Sequence, residues 1–266
     1  MESLIAGSGS AYQGAAVAWA RGPAVMYDRL ASMALAGVAG TLRGARVVDV
    51  GAGTGALSRA LRTVGALPVA VDTSSDMLSL IGDAAVMAVV GDMCALPFVD
   101  RRFDAAVSGF AISHIDTPEQ ALTEMHRIVR PHGHVIAAVF GKAPDGASKD
   151  AVDEVAGEFG FEPPAWYIGL KIRTEPLSNT PALLAGRAES AGLEDIEVAD
   201  VIADSGLDTP ESITAYRTGL AHIAPFVDAL PAARRTEFFE RAVAAVRERG
   251  QPVRPRVLIL SSRVPA

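Results

Sequence analysis

A single cysteine in 266 residues leaves no partner for an internal disulfide and no thiol cluster for a metal site. Positive charge is also short: 24 Lys and Arg stand against 31 Asp and Glu, a formal net charge of −7. That balance argues against nucleic acid or an anionic membrane surface as a partner. Long apolar runs are missing, none approaching the roughly 18 residues of a membrane span. The N-terminus shows no basic segment followed by an apolar one, so no signal peptide is expected. Internal repeats and low-complexity segments are absent too. What is present is apolar residues, 50% of the chain, enough for a sizeable core. The length suits one large domain, or one domain with an insertion. These features together lead us to expect a soluble, cytoplasmic protein.

The stretch that organises the chain is Val47-Val48-Asp49-Val50-Gly51-Ala52-Gly53-Thr54-Gly55-Ala56-Leu57-Ser58. Strand formers, alternating glycines and a helix-prone run read as strand, tight turn and helix. The glycines supply unusual backbone angles and let a ligand approach the main chain. The helix start offers unpaired N–H groups. Read alone, the glycines also match the dinucleotide pattern, with Ala56 as its last member.

Upstream, Gly7-Ser8-Gly9-Ser10 is expected to be mobile. Gly22-Pro23 breaks the chain and starts a helix bearing Met26, Leu30 and Met33 at helical spacing. Downstream, Pro68–Val71 reads as a second strand ending at Asp72, placed to accept from ribose hydroxyls. Thr73-Ser74-Ser75 offers a helix cap ahead of Met77. Val86–Val90 reads as a third strand, followed by Gly91-Asp92-Met93-Cys94-Ala95-Leu96-Pro97-Phe98. A fourth strand, Phe103–Phe110, leads into Ala111-Ile112-Ser113-His114. Thr117-Pro118-Glu119-Gln120 has the pattern of a capping box, and Leu122, Met125 and Val129 give that helix an apolar face. Glu124, His126 and Arg127 fall largely on its polar side. Pro131-His132-Gly133 precedes a fifth strand, His134–Phe140. Histidines 132 and 134 offer only two ligands where a metal site usually has three or four, and no carboxylate or cysteine accompanies them, so no metal is expected. A helix over 182–191 and strands at 196–201 and 256–260 complete the pattern.

The motifs resemble those of the class I S-adenosylmethionine-dependent methyltransferases, small-molecule branch, over roughly residues 15–141. The first stretch is similar to that family's acid-x-Gly-x-Gly-x-Gly motif, with Asp49 as the acid. The 91–98 segment is similar to its Gly-Asp-x-x-x-Leu-Pro-Phe segment. The Pro-His-Gly turn departs from the usual Pro-Gly-Gly. After residue 141 only the topology agrees. The resemblance implies an α/β, Rossmann-like sheet of seven mostly parallel strands with the last antiparallel, preceded by N-terminal helices and covered by a helical lid. It implies a single domain over 1–266: a helical segment at 1–44, a cofactor-binding core at 45–141, and lid insertions at 142–180 and 206–250. The implied cofactor is S-adenosylmethionine, with S-adenosylhomocysteine as product. The implied cofactor-binding residues are Trp19, Tyr27, Asp49, Gly51, Ala52, Gly53, Gly55, Asp72, Thr73, Met77, Asp92, Met93, Gly109 and Phe110. Asp92 would accept from the adenine amino group with Met93 against the ring. Trp19 and Tyr27 have packing as their plainer explanation.

His114 is expected to face the transferred methyl and to serve as base where the acceptor must lose a proton, with His222 as second candidate. Trp166, Tyr167 and Tyr216 are expected to bind the acceptor. Residues 142–250 hold 19 acids and 11 Lys or Arg, which disfavours a nucleic-acid acceptor and points to a small, largely apolar metabolite. A homodimer is compatible with this. Two other functions stay open: a non-methylating reaction such as cyclisation on the same cofactor, and a nicotinamide-dependent oxidoreductase.

Overall fold

The computed structural model describes residues 12, 14–142 and 148–266. The Gly/Ser-rich stretch at 7–10 lies outside the described residues. Helices α1 (Ala16–Arg21) and α2 (Pro23–Leu35) precede the first strand, and Pro23 opens the second of them. Seven strands follow: β1 (Arg46–Val50), β2 (Leu67–Asp72), β3 (Met87–Val90), β4 (Phe103–Gly109), β5 (Val129–Phe140), β6 (Glu194–Ile202) and β7 (Arg256–Arg263). They form one sheet in the order β3-β2-β1-β4-β5-β7-β6. The first five strands pair in parallel, while β7 is inserted antiparallel between β5 and β6.

Central strands are apolar on both sides because helices cover both faces. Side chains alternate between the faces with the two-residue period of a strand. Val47, Ala105, Val107, Ile136 and Ala138 join α2 in one core, and Val48, Val50, Ala106, Val135 and Ala137 form the other. The second core is closed by α5 (Pro118–Ile128) and α8 (Pro181–Ser190). Ahead of α5 in the chain lie α3 (Ala56–Thr63) and the short α4 (Ser75–Leu78).

The segments expected to form a lid are helical. After β5 come α6 (Ser148–Glu158), α7 (Ala165–Gly169) and a wide turn at Leu170–Thr174. After β6 come α9 (Pro210–Thr218), α10 (Ala224–Ala229) and α11 (Ala232–Arg249). They share the first core through Val152, Ile213, Phe238 and Ala242.

Two local expectations are corrected. Thr117 does not form a capping box: its side chain makes no cap bond, and Gln120 Nε2 instead donates to the Cys94 carbonyl. The fifth strand starts at Val129 rather than His134. Val129 pairs with Phe103, the register then shifts, and pairing resumes at His134 with Ala105. The intervening turn has His132 at φ 63°, the left-handed conformation a glycine usually supplies. Glu124, His126 and Arg127 lie off the buried face of α5, as expected, and are half-covered because Arg127 reaches the carbonyls of Leu96 and Phe98, Glu124 accepts from Leu96 N, and His126 Nδ1 bonds to the Ala191 carbonyl.

Candidate active site

Strand order reverses between β1 and β4, so their carboxyl ends open a crevice. A cavity of about 760 Å³, part of it open to solvent, lies there. Val71 accepts from Gly51 N and Ala52 N at 2.8 and 3.0 Å, which draws the glycine turn back over β2. Gly51 is packed closely: an added Cβ would stand 2.3 Å from Ala111 Cβ. Gly53 is the opposite case, at φ 53° with nothing within 4 Å of a built Cβ, so its backbone faces open space.

Asp49 is 1% exposed. Ser58 Oγ donates to its Oδ2 at 2.7 Å, and the Ser58 backbone also hydrogen-bonds to the carboxyl. Burial dominates, and the carboxyl is pushed up to about 7. The nearest guanidinium, Arg59, is committed to Asp28 and to the Thr54 carbonyl. Asp72 accepts from Gly53 N and Ser74 N, both at 2.8 Å. Burial again raises its pKa, against these backbone bonds.

The chain leaves β4 through Phe110, a non-glycine residue at φ 61°. Such a conformation costs about 1–3 kcal/mol and persists where its surroundings hold it. Here Phe110 stacks on Phe140 at 4.5 Å and meets the edge of Tyr27 at 5.4 Å. The turn at Ile112–His114 then carries His114 into the cavity wall. Tyr12 OH lies 3.1 Å from His114 Nδ1, and the two rings stack at 5.9 Å. Burial, then the Lys171 charge, lowers His114 to about 4, so its ring is neutral at physiological pH.

A second and larger cavity, about 2060 Å³ and also part-open, adjoins the first. Tyr12, Trp19, Tyr27 and His114 line both. Trp166, Tyr167, Tyr216 and His222 line only the second. Ring contacts run outward from the junction: Tyr12 to Trp166 at 6.2 Å, Trp166 to Tyr167 at 5.9 Å, and Tyr167 to His222 at 3.7 Å. His222 therefore stands well along the wall from His114.

Of the expected cofactor residues, Trp19, Tyr27, Asp49, Gly51, Ala52, Gly53, Asp72, Met77, Gly109 and Phe110 line the first cavity. Gly55, Thr73, Asp92 and Met93 are not among its walls. Gly55 caps α3 at φ 84° and packs on Ile81. Thr73 and Asp92 are exposed, and Asp92 accepts from Cys94 N in its own turn. Met93 reaches toward Gly51, its Cε 3.2 Å from a built Cβ there. Sequence reasoning missed Tyr12, Ala31, Ala34, Thr54 and Leu57. Only Tyr12 carried a signal, as an aromatic just after a Gly/Ser run.

Residues 48–137 match a family model described as a methyltransferase domain. The demethylmenaquinone methyltransferase of Renibacterium salmoninarum is 33% identical over 149 residues, 52% of this chain and 62% of that one. The protein of the same name from Mycolicibacterium gilvum is 31% identical over 57% of this chain and 69% of its own. The chain belongs to the class I S-adenosylmethionine-dependent methyltransferases. The first curated relatives are matched over only 62% and 50% of their own lengths. In fold, this methyltransferase is similar to Haemonchus contortus phosphoethanolamine N-methyltransferase 2, solved with S-adenosyl-L-methionine (TM-score 0.53, 20% identity, 84% of this chain and 49% of that one). It is also similar to the 4+2 cyclase SpnF (TM-score 0.58, 21% identity, 90% and 82%).

The methyltransferase cofactor fits the cavity on physical grounds. A buried carboxylate that is bonded by the neutral groups of Ser58 and paired with no cation among the described residues suits a ligand with a cationic amino-acid end. Asp72, at the second strand end, has acceptor capacity for a diol, and Gly53 leaves room for close approach.

Proposed function

We propose that this chain transfers a methyl group from S-adenosylmethionine to an oxygen, nitrogen or carbon atom of a small metabolite, a biosynthetic intermediate in the cytoplasm. The observation that carries this reading is the junction of two cavities at Tyr12, Trp19, Tyr27 and His114. One cavity holds the acids suited to the cofactor, and the other is large, aromatic and separate. When bound, S-adenosylmethionine supplies an electrophilic methyl.

The chain's residues do the rest. Asp49 receives the cationic amino-acid end, Asp72 the ribose hydroxyls, and Trp19 and Tyr27 exclude water at the junction. Trp166, Tyr167 and Tyr216 hold the acceptor's body, and positioning at near-attack distance supplies much of the rate. His114 faces the reacting atom. With its proton on Nδ1, donated to the Tyr12 oxygen, Nε2 is open to take a proton from an acceptor that must lose one. No helix among the described residues is long and apolar enough to cross a membrane.

Incubation of the protein with methyl-labelled cofactor and a metabolite pool, read by mass spectrometry, tests this. A labelled product is expected. Tight cofactor binding without any labelled product favours a non-methylating reaction, such as cyclisation, on the same scaffold. Binding of NAD in place of S-adenosylhomocysteine overturns the reading.

A further inference from the structure

Residues 142–250 are acidic in sum, yet the second cavity is lined by cations. Among the described residues, Lys142, Lys149, Lys171, Arg217, Arg254 and Arg256 line it, against one acid, Glu175. Other acids stand behind four of these cations: Asp150 pairs with Lys149, Asp153 with Arg217, Asp200 with Arg256, and Asp204 and Asp208 with Arg254. Ion pairs oriented this way present their positive ends inward.

Two groups at the far wall are built rather than incidental. Arg217 is 6% exposed. Its Nε and Nη2 each donate to Asp153 at 2.6 Å, and Nη2 also donates to Tyr167 OH at 3.0 Å. Its Nη1 makes no hydrogen bond among the described residues. His222 is also 6% exposed and lies flat on Tyr167, the rings 3.7 Å apart and 4° from parallel. Its Nε2 is buried without a partner among the described residues. Burial, then the charges of Arg217, Lys171 and Lys149, holds this ring neutral. A buried polar atom with no partner costs free energy, and a ligand that supplies the partner recovers it. Lys171 lies over the other side of the system, its Nζ 5.6 Å from the Tyr167 ring centre.

Resting on the methyltransferase reading, we infer that the acceptor carries a carboxylate at the end away from the atom that is methylated. The structure pairs its two oxygens with Arg217 Nη1 and with His222 Nε2, the ring taking the tautomer that puts its proton on Nε2, within the positive field of Lys171 and Lys149. A monoanion matches the site better than a phosphate dianion. Two open donors answer two carboxylate oxygens, and of the lining lysines only Lys142 has no acidic partner among the described residues. The acceptor's apolar body then lies along Trp166, Leu170, Tyr216 and Leu220 toward His114. His222 becomes a specificity residue, remote from the methyl.

The test uses the full chain and begins with an S-adenosylhomocysteine titration. The product-loaded protein is then titrated calorimetrically with 2-naphthoate, the uncharged 2-naphthalenemethanol and 2-naphthyl phosphate. Naphthoate is expected to bind about tenfold or more tightly than the alcohol, as for a hydrogen-bonded charge. His222→Phe keeps the stacked ring and removes the donor; half-exposed Lys171→Met removes a charge at little risk to folding. Each should cut the naphthoate-to-alcohol ratio about threefold or more and leave S-adenosylhomocysteine affinity unchanged. Equal affinities in the wild type, an unchanged ratio in both variants, or a preference for the phosphate overturns the inference alone. Failure of S-adenosylhomocysteine to bind overturns the methyltransferase reading beneath it.

Discussion

Tyr12 OH and His114 Nδ1 lie 3.1 Å apart, joining the N-terminal segment to the turn after β4 across 102 residues of sequence. Burial holds the Tyr12 phenol well above its ordinary pKa, so it stays a neutral partner. The bond accommodates two tautomers: with Nδ1–H donating to the phenol oxygen, Nε2 is free to act as a base, and with the phenol donating to Nδ1 it is not. His114→Ala should lower the single-turnover rate by about 10²–10⁴ if the acceptor must be deprotonated, with cofactor affinity nearly intact. Tyr12→Phe should give a smaller loss and a changed tautomer ratio in the His114 ring ¹⁵N shifts. Because His114 titrates near 4, the rate should be flat across neutral pH and fall only as pH drops toward that value. A wild-type rate in His114→Ala at every pH removes it from the mechanism.

Asp49 couples stability to cofactor binding. Its folded pKa of about 7 lies well above the ordinary range of an aspartate, because the carboxyl is buried. The stability it lends is therefore complete below the unfolded value and is lost as pH rises through 7. A cationic ligand favours the ionised form, so binding below pH 7 must expel a proton. S-adenosylmethionine affinity should fall as pH drops below 7, by at most about tenfold per unit, and calorimetry in buffers of different ionisation enthalpy should detect the proton. Asp49→Asn should bind weakly, lack this pH dependence, and be more stable than wild type above pH 7. A pH-independent affinity in the wild type contradicts the assignment.

Asp72 has two tasks. Its oxygens fix the glycine turn through Gly53 N and the next turn through Ser74 N, and they face the cavity. Asp72→Ala should weaken S-adenosylhomocysteine binding by roughly 2–3 kcal/mol, as for loss of hydrogen bonds to a charged acceptor. It should also lower the melting temperature, since two backbone donors lose their partner. Wild-type affinity in the variant would show that Asp72 is only structural.

The sheet and the glycine turn at its crevice were legible because they are local. Asp49, Gly51, Gly53 and Asp72 sit at strand ends, and a strand, a glycine turn and an acid are readable in a short window. The acceptor side was not. Net charge over 142–250 gave the wrong sign for its cavity, because charge counts do not say which partner of an ion pair faces inward. Arg217 and Asp153 illustrate this: the guanidinium lines the cavity, whereas the carboxylate that pairs with it, on α6, does not. Tyr12 was missed because its contact with His114 spans the whole first half of the fold. Asp92 was placed by motif in the nucleoside site, whereas its side chain turns back to Cys94 N.

The acceptor cavity also depends on a contact between backbones. Gly22, between α1 and α2, lies so close to α9 that an added Cβ would fall 2.0 Å from the Ala215 carbonyl oxygen. A carbonyl inside a helix cannot swing aside, so the helix must move. That helix carries Tyr216 and Arg217, both in the acceptor wall. Gly22→Ala should therefore destabilise the protein by about 1–3 kcal/mol, the usual cost of overpacking. It should also raise the acceptor's KM, because the wall shifts as a unit. Gly157→Ala is the control: it lies in α6 with open space around a built Cβ, and alanine there should be neutral or stabilising by up to about 1 kcal/mol. Thermal melts and steady-state kinetics on both variants decide it. Equal melting shifts in the two, or a lower Tm in Gly22→Ala with an unchanged KM, would show that the α1–α9 contact supports the fold without shaping the site.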